Sequence, residues 1–310
     1  MRYNFRLNRL ELSSDANRNI LRIAGEEFFL EYLEKEGIGA RGGNSSIFRA
    51  VHPDGNVSYV VKFFRFLREN GLREPQRRLQ RFEREIEALR RAQNSEFRDC
   101  VVGMIEDGIL PLEGEGKMQS LRYYVMAEAE SDLSAFLRQN ELSVPQKVFL
   151  CKELLSILKG LHALDIYHRD IKPENIFMTL GKPMFGDLGL VNFRSQDSDM
   201  DRFDEKIGPI GFLSPEATNK CLGIRTRASF TFECDMDEKS DIFQLGQVFW
   251  LVLQDEVPTG QLLIEDAKFA VKGLFDHVIL PMLQYPKRRR ASLDAIADAL
   301  APVLQELALV

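Results

Sequence analysis

Ile166-Tyr-His168-Arg169-Asp170-Ile-Lys172-Pro-Glu-Asn175 decides how the chain is read, because an acid, a base and an amide fall within six positions that no fold needs together. Asp170 can accept a hydroxyl proton, Lys172 can reach a transferring phosphoryl group, and Asn175, five residues after Asp170, can hold a metal ion beside it. A polar turn ahead of a strand is the plainer reading. Against it stands a second polar site, Gly186-Asp187-Leu188-Gly189, at the distance where a second metal-binding carboxylate would follow.

Together these residues resemble the catalytic loop and metal-binding Asp of the eukaryotic-type (Hanks-type) serine/threonine protein kinases. The resemblance implies an α+β, bilobal protein kinase fold: a small β-rich lobe with one helix, a larger mainly helical lobe, and ATP with Mg2+ in the cleft. It spans roughly residues 37 to 300, and places a small lobe at 37–127 and a large lobe at 128–310, after an N-terminal extension, 1–36. Within that extension the apolar positions from Ile20 to Leu33 fit a helix or a strand after a loop.

Upstream of the catalytic stretch, Gly37 to Val51 reads as a glycine-rich turn entering a strand, and Val57 to Phe64 as a further strand after Pro53-Asp-Gly-Asn. Glycines let backbone amides approach phosphate oxygens. The run resembles the kinase glycine-rich loop imperfectly. With Ile47 as the family's valine, Gly42 is the second glycine, whereas Ala40 and Ser45 replace the first and third; Gly39 or Gly43 can compensate. Lys62 ends Tyr59-Val-Val like the family's strand lysine. Phe82, Ile86 and Leu89 then recur at helical spacing over Arg81 to Ala92, with Glu85 where the family's partner glutamate stands. The resemblance makes Lys62 the holder of the α and β phosphates and Glu85 the holder of Lys62. Arg65 to Arg91 has nine arginines against five glutamates, which reads as a solvated face laced with ion pairs or as a docking surface. Asp99 to Leu110 and Arg122 to Met126 are expected strands with Glu113 to Gln119 as their turn. Met126 then resembles the gatekeeper, Glu128 and Ala129 the hinge whose backbone meets adenine, and Asp132 a ribose contact.

Helical spacing over Leu133 to Arg138 and Pro145 to Leu164 opens the large lobe, and His162 and His168 are given scaffold roles. Downstream, Ser214-Pro215-Glu216 matches the motif that closes the family's activation segment. It implies a cationic partner for Glu216, either Arg290 or Arg289, while Asp241, in Ser240-Asp-Ile-Phe, resembles the residue that binds catalytic-loop backbone. Arg169 is the arginine that commonly pairs with an activation-loop phosphate. Leu190 to Gly211 contains no threonine, but holds Ser195, Ser198 and the carboxylates of Asp197, Asp199, Asp201, Asp204 and Glu205. One of these carboxylates standing in for phosphate, a merely solvated acidic loop, and phosphorylation of Ser195 or Ser198 remain three readings of that run.

Composition sets the remaining bounds. A net charge of −6 gives no basic footprint for nucleic acid, and four scattered cysteines suit a reducing cytoplasm better than a zinc site or disulfide framework. The most apolar run, Leu245 to Leu253, is too short to span a bilayer, so no membrane anchor is expected. Lys172 implies serine/threonine acceptors on a protein substrate. A weakly active pseudokinase acting as a binding module is the alternative suggested by the altered glycines and by Leu188 in place of the family's phenylalanine; a small-molecule phosphotransferase is disfavoured by the Ser-Pro-Glu segment.

Overall fold

Period-two alternation sorts the strand Ser58–Phe64 into two buried faces, and both find partners. Val61 and Phe63 join Phe48, Tyr123 and Val125 in one apolar cluster, whereas Phe64 meets Phe82 on a helix, with ring centroids 5.6 Å apart. In this computed structural model the described residues are 1–4, 9–33, 45–64, 74–114, 117–195, 201, 207–209, 211–223, 232–269 and 271–308. The chain divides into two compact units, one formed by residues 1–93 and 102–128, the other by 94–101 and 129–310.

In the first unit a ribbon of β1 (Arg2–Asn4) and β2 (Arg9–Glu11) precedes β3 (Ile20–Ile23), β4 (Glu26–Tyr32), β5 (Ser45–Val51) and β6 (Ser58–Phe64), followed by helix α1 (Glu74–Gln93). β7 (Met104–Gly114) and β8 (Lys117–Ala127) complete a sheet of order β3-β4-β5-β6-β8-β7. The segment 20–33, open between helix and strand in sequence, is two strands. Its Leu21, Ile23, Phe28 and Leu30, with Tyr3 and Leu10 of the ribbon, belong to the same cluster as Val61 and Phe63. Tertiary burial rather than local periodicity settles its conformation.

Two strand expectations need correction. Asp99 lies in a 3-10 turn, Arg98–Cys100, that belongs to the second unit, and β7 starts only at Met104. The expected turn from Glu113 to Gln119 is largely ladder, which runs on to the pair Gly114 and Lys117. Polar residues and two glycines signalled a loop, but the antiparallel pairing takes in most of the segment.

The second unit is built on α3 (Val144–Ala163) and α5 (Glu238–Gln254). Pro145 in the first turn of α3 lacks only an N–H that would have no helical partner, and Gln146 Oε1 accepts the Ser143 N–H at 2.8 Å. One side of α3 is then buried from Val148 to Leu161. The short β9 (Ser131–Asp132) and α2 (Leu133–Gln139) precede α3. After it come β10 (Ile166–Tyr167), the hairpin β11 (Ile176–Thr179) and β12 (Lys182–Phe185), β13 (Asn192–Phe193) and α4 (Pro215–Gly223). Following α5, α6 (Leu280–Met282) and α7 (Leu293–Ala308) close the unit. Among the described residues no helix is long and apolar enough to cross a membrane.

Candidate active site

Lys62 sits mid-ladder, opposite Ile47 on one side and Tyr124 on the other, so its side chain shares a face with Tyr124. On α1, Phe82, Glu85, Ile86 and Leu89 recur at three- and four-residue spacing and are all buried. That phase brings Glu85 Oε1 to 2.7 Å from Lys62 Nζ, while the Tyr124 hydroxyl donates to the same oxygen at 2.9 Å. Lys62 and Glu85 are 7% and 1% exposed, so neither charge is tolerated without the other. Lys62→Met and Glu85→Gln are therefore expected to be strongly non-additive, with the double variant no worse in kcat/KM than the poorer single one. Additive losses would show that the pair does not act as a unit.

The other residues expected from sequence to meet a nucleotide fall on several elements. Gly39, Gly42 and Gly43 lie outside the described residues. Ser45 and Ile47 are in β5, and Met126 pairs with Val60 in the ladder. The Glu128 carboxylate accepts from Arg49 Nε at 2.8 Å and from the Ser58 hydroxyl, anchoring the end of the first unit. Ala129 belongs to the second unit. Asp132 caps α2, its Oδ1 accepting the Ala135 N–H at 2.7 Å.

The catalytic stretch hangs from α5. Asp241, fully buried, accepts the His168 N–H at 2.8 Å and the Arg169 N–H at 2.7 Å, and contacts His162 Nε2 at 2.9 Å. One turn on, Gln244 accepts the Ile171 N–H at 3.0 Å and donates to the Arg169 carbonyl at 3.2 Å. These bonds hold Arg169 at a φ of 68°, the left-handed region that costs a non-glycine residue about 1–2 kcal/mol. Gln244 escaped the sequence reading, although its place three residues after Asp241 on a helix put both on one face. His168 packs edge-on against Phe185, and its Nδ1 accepts the Asp170 N–H at 3.3 Å.

Asp170 projects from this frame. Asn175 Nδ2 donates to its Oδ2 at 2.7 Å and its carbonyl at 2.9 Å, and Lys172 Nζ lies 3.2 Å from Oδ2. The Asn175 carbonyl accepts the Gly186 N–H at 2.9 Å, which returns β12 beside the loop, and Asp187 follows at a φ of 49°. Burial pushes the Asp170 carboxyl above its ordinary pKa; Lys172 and His168 oppose the rise and Asp187 adds to it. Leu188, where the family has phenylalanine, is fully buried.

Farther along, Arg290 rather than Arg289 meets Glu216, through Nη1 at 2.6 Å and Nη2 at 2.8 Å, and Ser240 adds a hydroxyl bond at 2.6 Å. The remaining guanidinium donors go to the carbonyls of Lys239, Gln284 and Tyr285. Asp201 contacts Arg169 and lies 3.1 Å from Lys220 of α4, whereas Ser195 donates its N–H to Asp165 at 2.9 Å; Ser198 is outside the described residues.

The donors suit a hard cation. Asn175 gives its amide N–H groups to Asp170, which leaves Oδ1 as an oxygen ligand, and Asp187 supplies a carboxylate. Mg2+ is commonly held by one or two such protein groups together with phosphate and water. Among the described residues no group of three or more His, Cys, Asp or Glu could hold a metal ion by itself.

A model of the protein kinase domain matches residues 32–295. The chain is 23% identical over 255 residues to the serine/threonine-protein kinase mph1 of Schizosaccharomyces pombe, covering 81% of this chain and 35% of that protein. It is 22% identical over 247 residues to the dual specificity protein kinase Ttk of Danio rerio, covering 79% and 22%. With the probable serine/threonine-protein kinase PknB of Lactococcus lactis it shares 25% identity over 180 residues, covering 57% and 26%. The chain thus spans about a third or less of the length of these curated relatives. With a matched domain of this extent and a buried Asp170 framed by Lys172, Asn175 and α5, the chain belongs to the protein kinase family.

Proposed function

We infer that this chain transfers the γ-phosphoryl group of Mg-ATP to a serine or threonine hydroxyl of a protein. The observation that carries the reading is Asp170, a buried carboxylate within hydrogen-bond reach of Lys172 and Asn175 and electrostatically coupled to Asp187. Asp170 accepts the acceptor's hydroxyl proton, and its fixed direction aligns that oxygen for attack. Lys172 places positive charge beside the moving phosphoryl group, and Lys62, held by Glu85, takes the α and β phosphates. Asn175 Oδ1 and Asp187 would hold Mg2+, which when bound neutralises charge on the phosphate oxygens. By the family resemblance, Gly39, Gly42, Gly43, Ser45 and Ile47 would contact the nucleotide's phosphate side, Met126, Glu128 and Ala129 its base, and Asp132 its ribose. Lys172 supports serine/threonine acceptors, as does the naming of mph1 and PknB as serine/threonine-protein kinases. The net charge of −6 argues for protein rather than nucleic acid as partner, and the free cysteines fit the cytoplasm.

The test is transfer of labelled phosphate from Mg-ATP to the chain itself or to a cell-extract protein, followed by identification of the phosphorylated amino acid. Asp187→Ala is expected to reduce the rate about 10²–10³-fold at unchanged melting temperature, because it removes charge stabilisation and not packing. A variant keeping more than a tenth of the rate would overturn the assignment of Asp187. Nucleotide binding without transfer would instead mark a pseudokinase, and transfer only to aminoglycoside-like metabolites a small-molecule enzyme.

A further inference from the structure

Strand alternation gives β6 and β8 two faces. Lys62 and Tyr124, paired in the ladder, take one of them and reach Glu85, whereas their neighbours Val61, Phe63, Tyr123 and Val125 take the other and are buried there. Much of the core on that second face comes from the start of the chain. Tyr3 and Leu10, opposite each other in the β1–β2 ladder, are each 2% exposed and belong to it together with Leu21 and Ile23 of β3. The segment is fastened at both ends of the sheet. At the first, Leu30 of β4 donates its N–H to the Asn19 carbonyl at 2.7 Å. At the last, Glu106 of β7 accepts the Ala24 N–H at 2.8 Å and, through its other oxygen, the Tyr123 hydroxyl at 3.3 Å.

We propose that Tyr3, Leu10, Leu21 and Ile23 are positioning residues, which back the two strands carrying Lys62 and Tyr124 and so set the Lys62–Glu85 pair for the nucleotide phosphates. The inference rests on the proposed transferase reading. Lys62 Nζ and Glu85 Oε1 are 2.7 Å apart, and a shift of about 1 Å takes such a pair beyond hydrogen-bond distance. A close-packed interior passes a displacement on, because it holds no empty space to absorb it. A side chain removed behind Val61 and Phe63 leaves a cavity into which β6 can settle, and Lys62 moves with its strand. The same core stabilises the unit whatever it does for Lys62, so melting temperature does not separate support from positioning. Coupling to Lys62 does.

The test uses the full chain with Tyr3→Ala, Leu10→Ala and Leu10→Met, each alone and combined with Lys62→Met. Leu300→Ala, at a buried leucine of α7, controls for lost stability, and every protein is assayed well below its melting temperature. Tyr3→Ala and Leu10→Ala should lower kcat/KM for ATP about fivefold or more, Leu10→Met should restore most of that loss, and Leu300→Ala should leave the value unchanged. Combined with Lys62→Met, the same alanine changes should add less than about twofold. Acylation of the Lys62 amine by an N-hydroxysuccinimide ester, read by peptide mass spectrometry, should quicken in both alanine variants and not in Leu300→Ala. Equal losses with and without the Lys62 amine would show that the core only stabilises, and would overturn the proposal, as would wild-type acylation in Leu10→Ala. Should the wild type transfer no phosphate, the transferase reading fails while acylation still decides the positioning. If the alanine variants do not fold, Leu10→Val and Ile23→Val carry the comparison, and wild-type acylation in both overturns it.

Discussion

Asp170→Asn is expected to lower kcat about 10²–10⁴-fold, the range a positioned general base contributes, with little change in KM for ATP. The amide cannot take the acceptor proton at neutral pH, yet it keeps the shape of a side chain that contacts Lys172 and Asn175. Melting temperature should be unchanged or slightly higher. The sign follows from burial, which raises the Asp170 pKa, so that the ionised form is disfavoured in the folded chain and lowers stability above the unfolded carboxyl's pKa of about 3.9. A neutral isostere relieves that cost. For the wild type, activity needs the ionised form, so the acid limb of kcat/KM against pH should sit above the ordinary Asp range. Lys172 opposes the rise, and Lys172→Met should therefore move the limb further up. An Asp170→Asn enzyme retaining more than a tenth of wild-type kcat, or a limb at the ordinary value, would remove Asp170 from the role of base.

Lys62 and Glu85, 23 apart, were paired in sequence by their resemblance to the family's strand lysine and helix glutamate, and they meet because strand alternation and the 82, 85, 86, 89 spacing turn the two side chains toward one another. The Asp170 to Asn175 stretch is local and needs no such geometry. Tyr124 was missed because its contact depends on ladder register, which sequence specifies only after strand ends are known. Residues 20–33 were ambiguous because Leu21, Ile23, Phe28 and Leu30 serve a cluster built from distant strands. Lys220 carries no local signal at all: Asp201, which it contacts, lies 19 positions away across a segment without periodicity, and burial distinguishes it from a surface lysine. The glycine-rich turn, read as Gly39, Gly42 and Gly43, falls outside the described residues.

Arg290→Met is expected to destabilise the second unit by about 3–5 kcal/mol, the effect of removing one member of a buried ion pair. All five guanidinium N–H groups have acceptors: both Glu216 oxygens and the carbonyls of Lys239, Gln284 and Tyr285. Methionine restores volume and the contact with Phe243, but leaves those carbonyls without their donor and a 1% exposed carboxylate without its cation. Glu216→Gln/Arg290→Met should therefore cost less than the sum of the single changes. The pH dependence separates charge from packing. In the wild type, burial opposes ionisation of Glu216, but Arg290 and Ser240 outweigh it and hold the pKa below the ordinary value. Its stabilisation is thus present above the unfolded Glu pKa of about 4.3 and lost as pH falls through the lower folded value. Without Arg290, burial dominates, the Glu216 pKa rises, and the penalty relaxes as soon as the carboxyl protonates. Urea unfolding of the two proteins should accordingly show a stability difference that is largest at neutral pH and shrinks toward pH 4. A difference independent of pH would mean that Arg290 acts through its packing and its carbonyl contacts, and that the Glu216 charge contributes nothing.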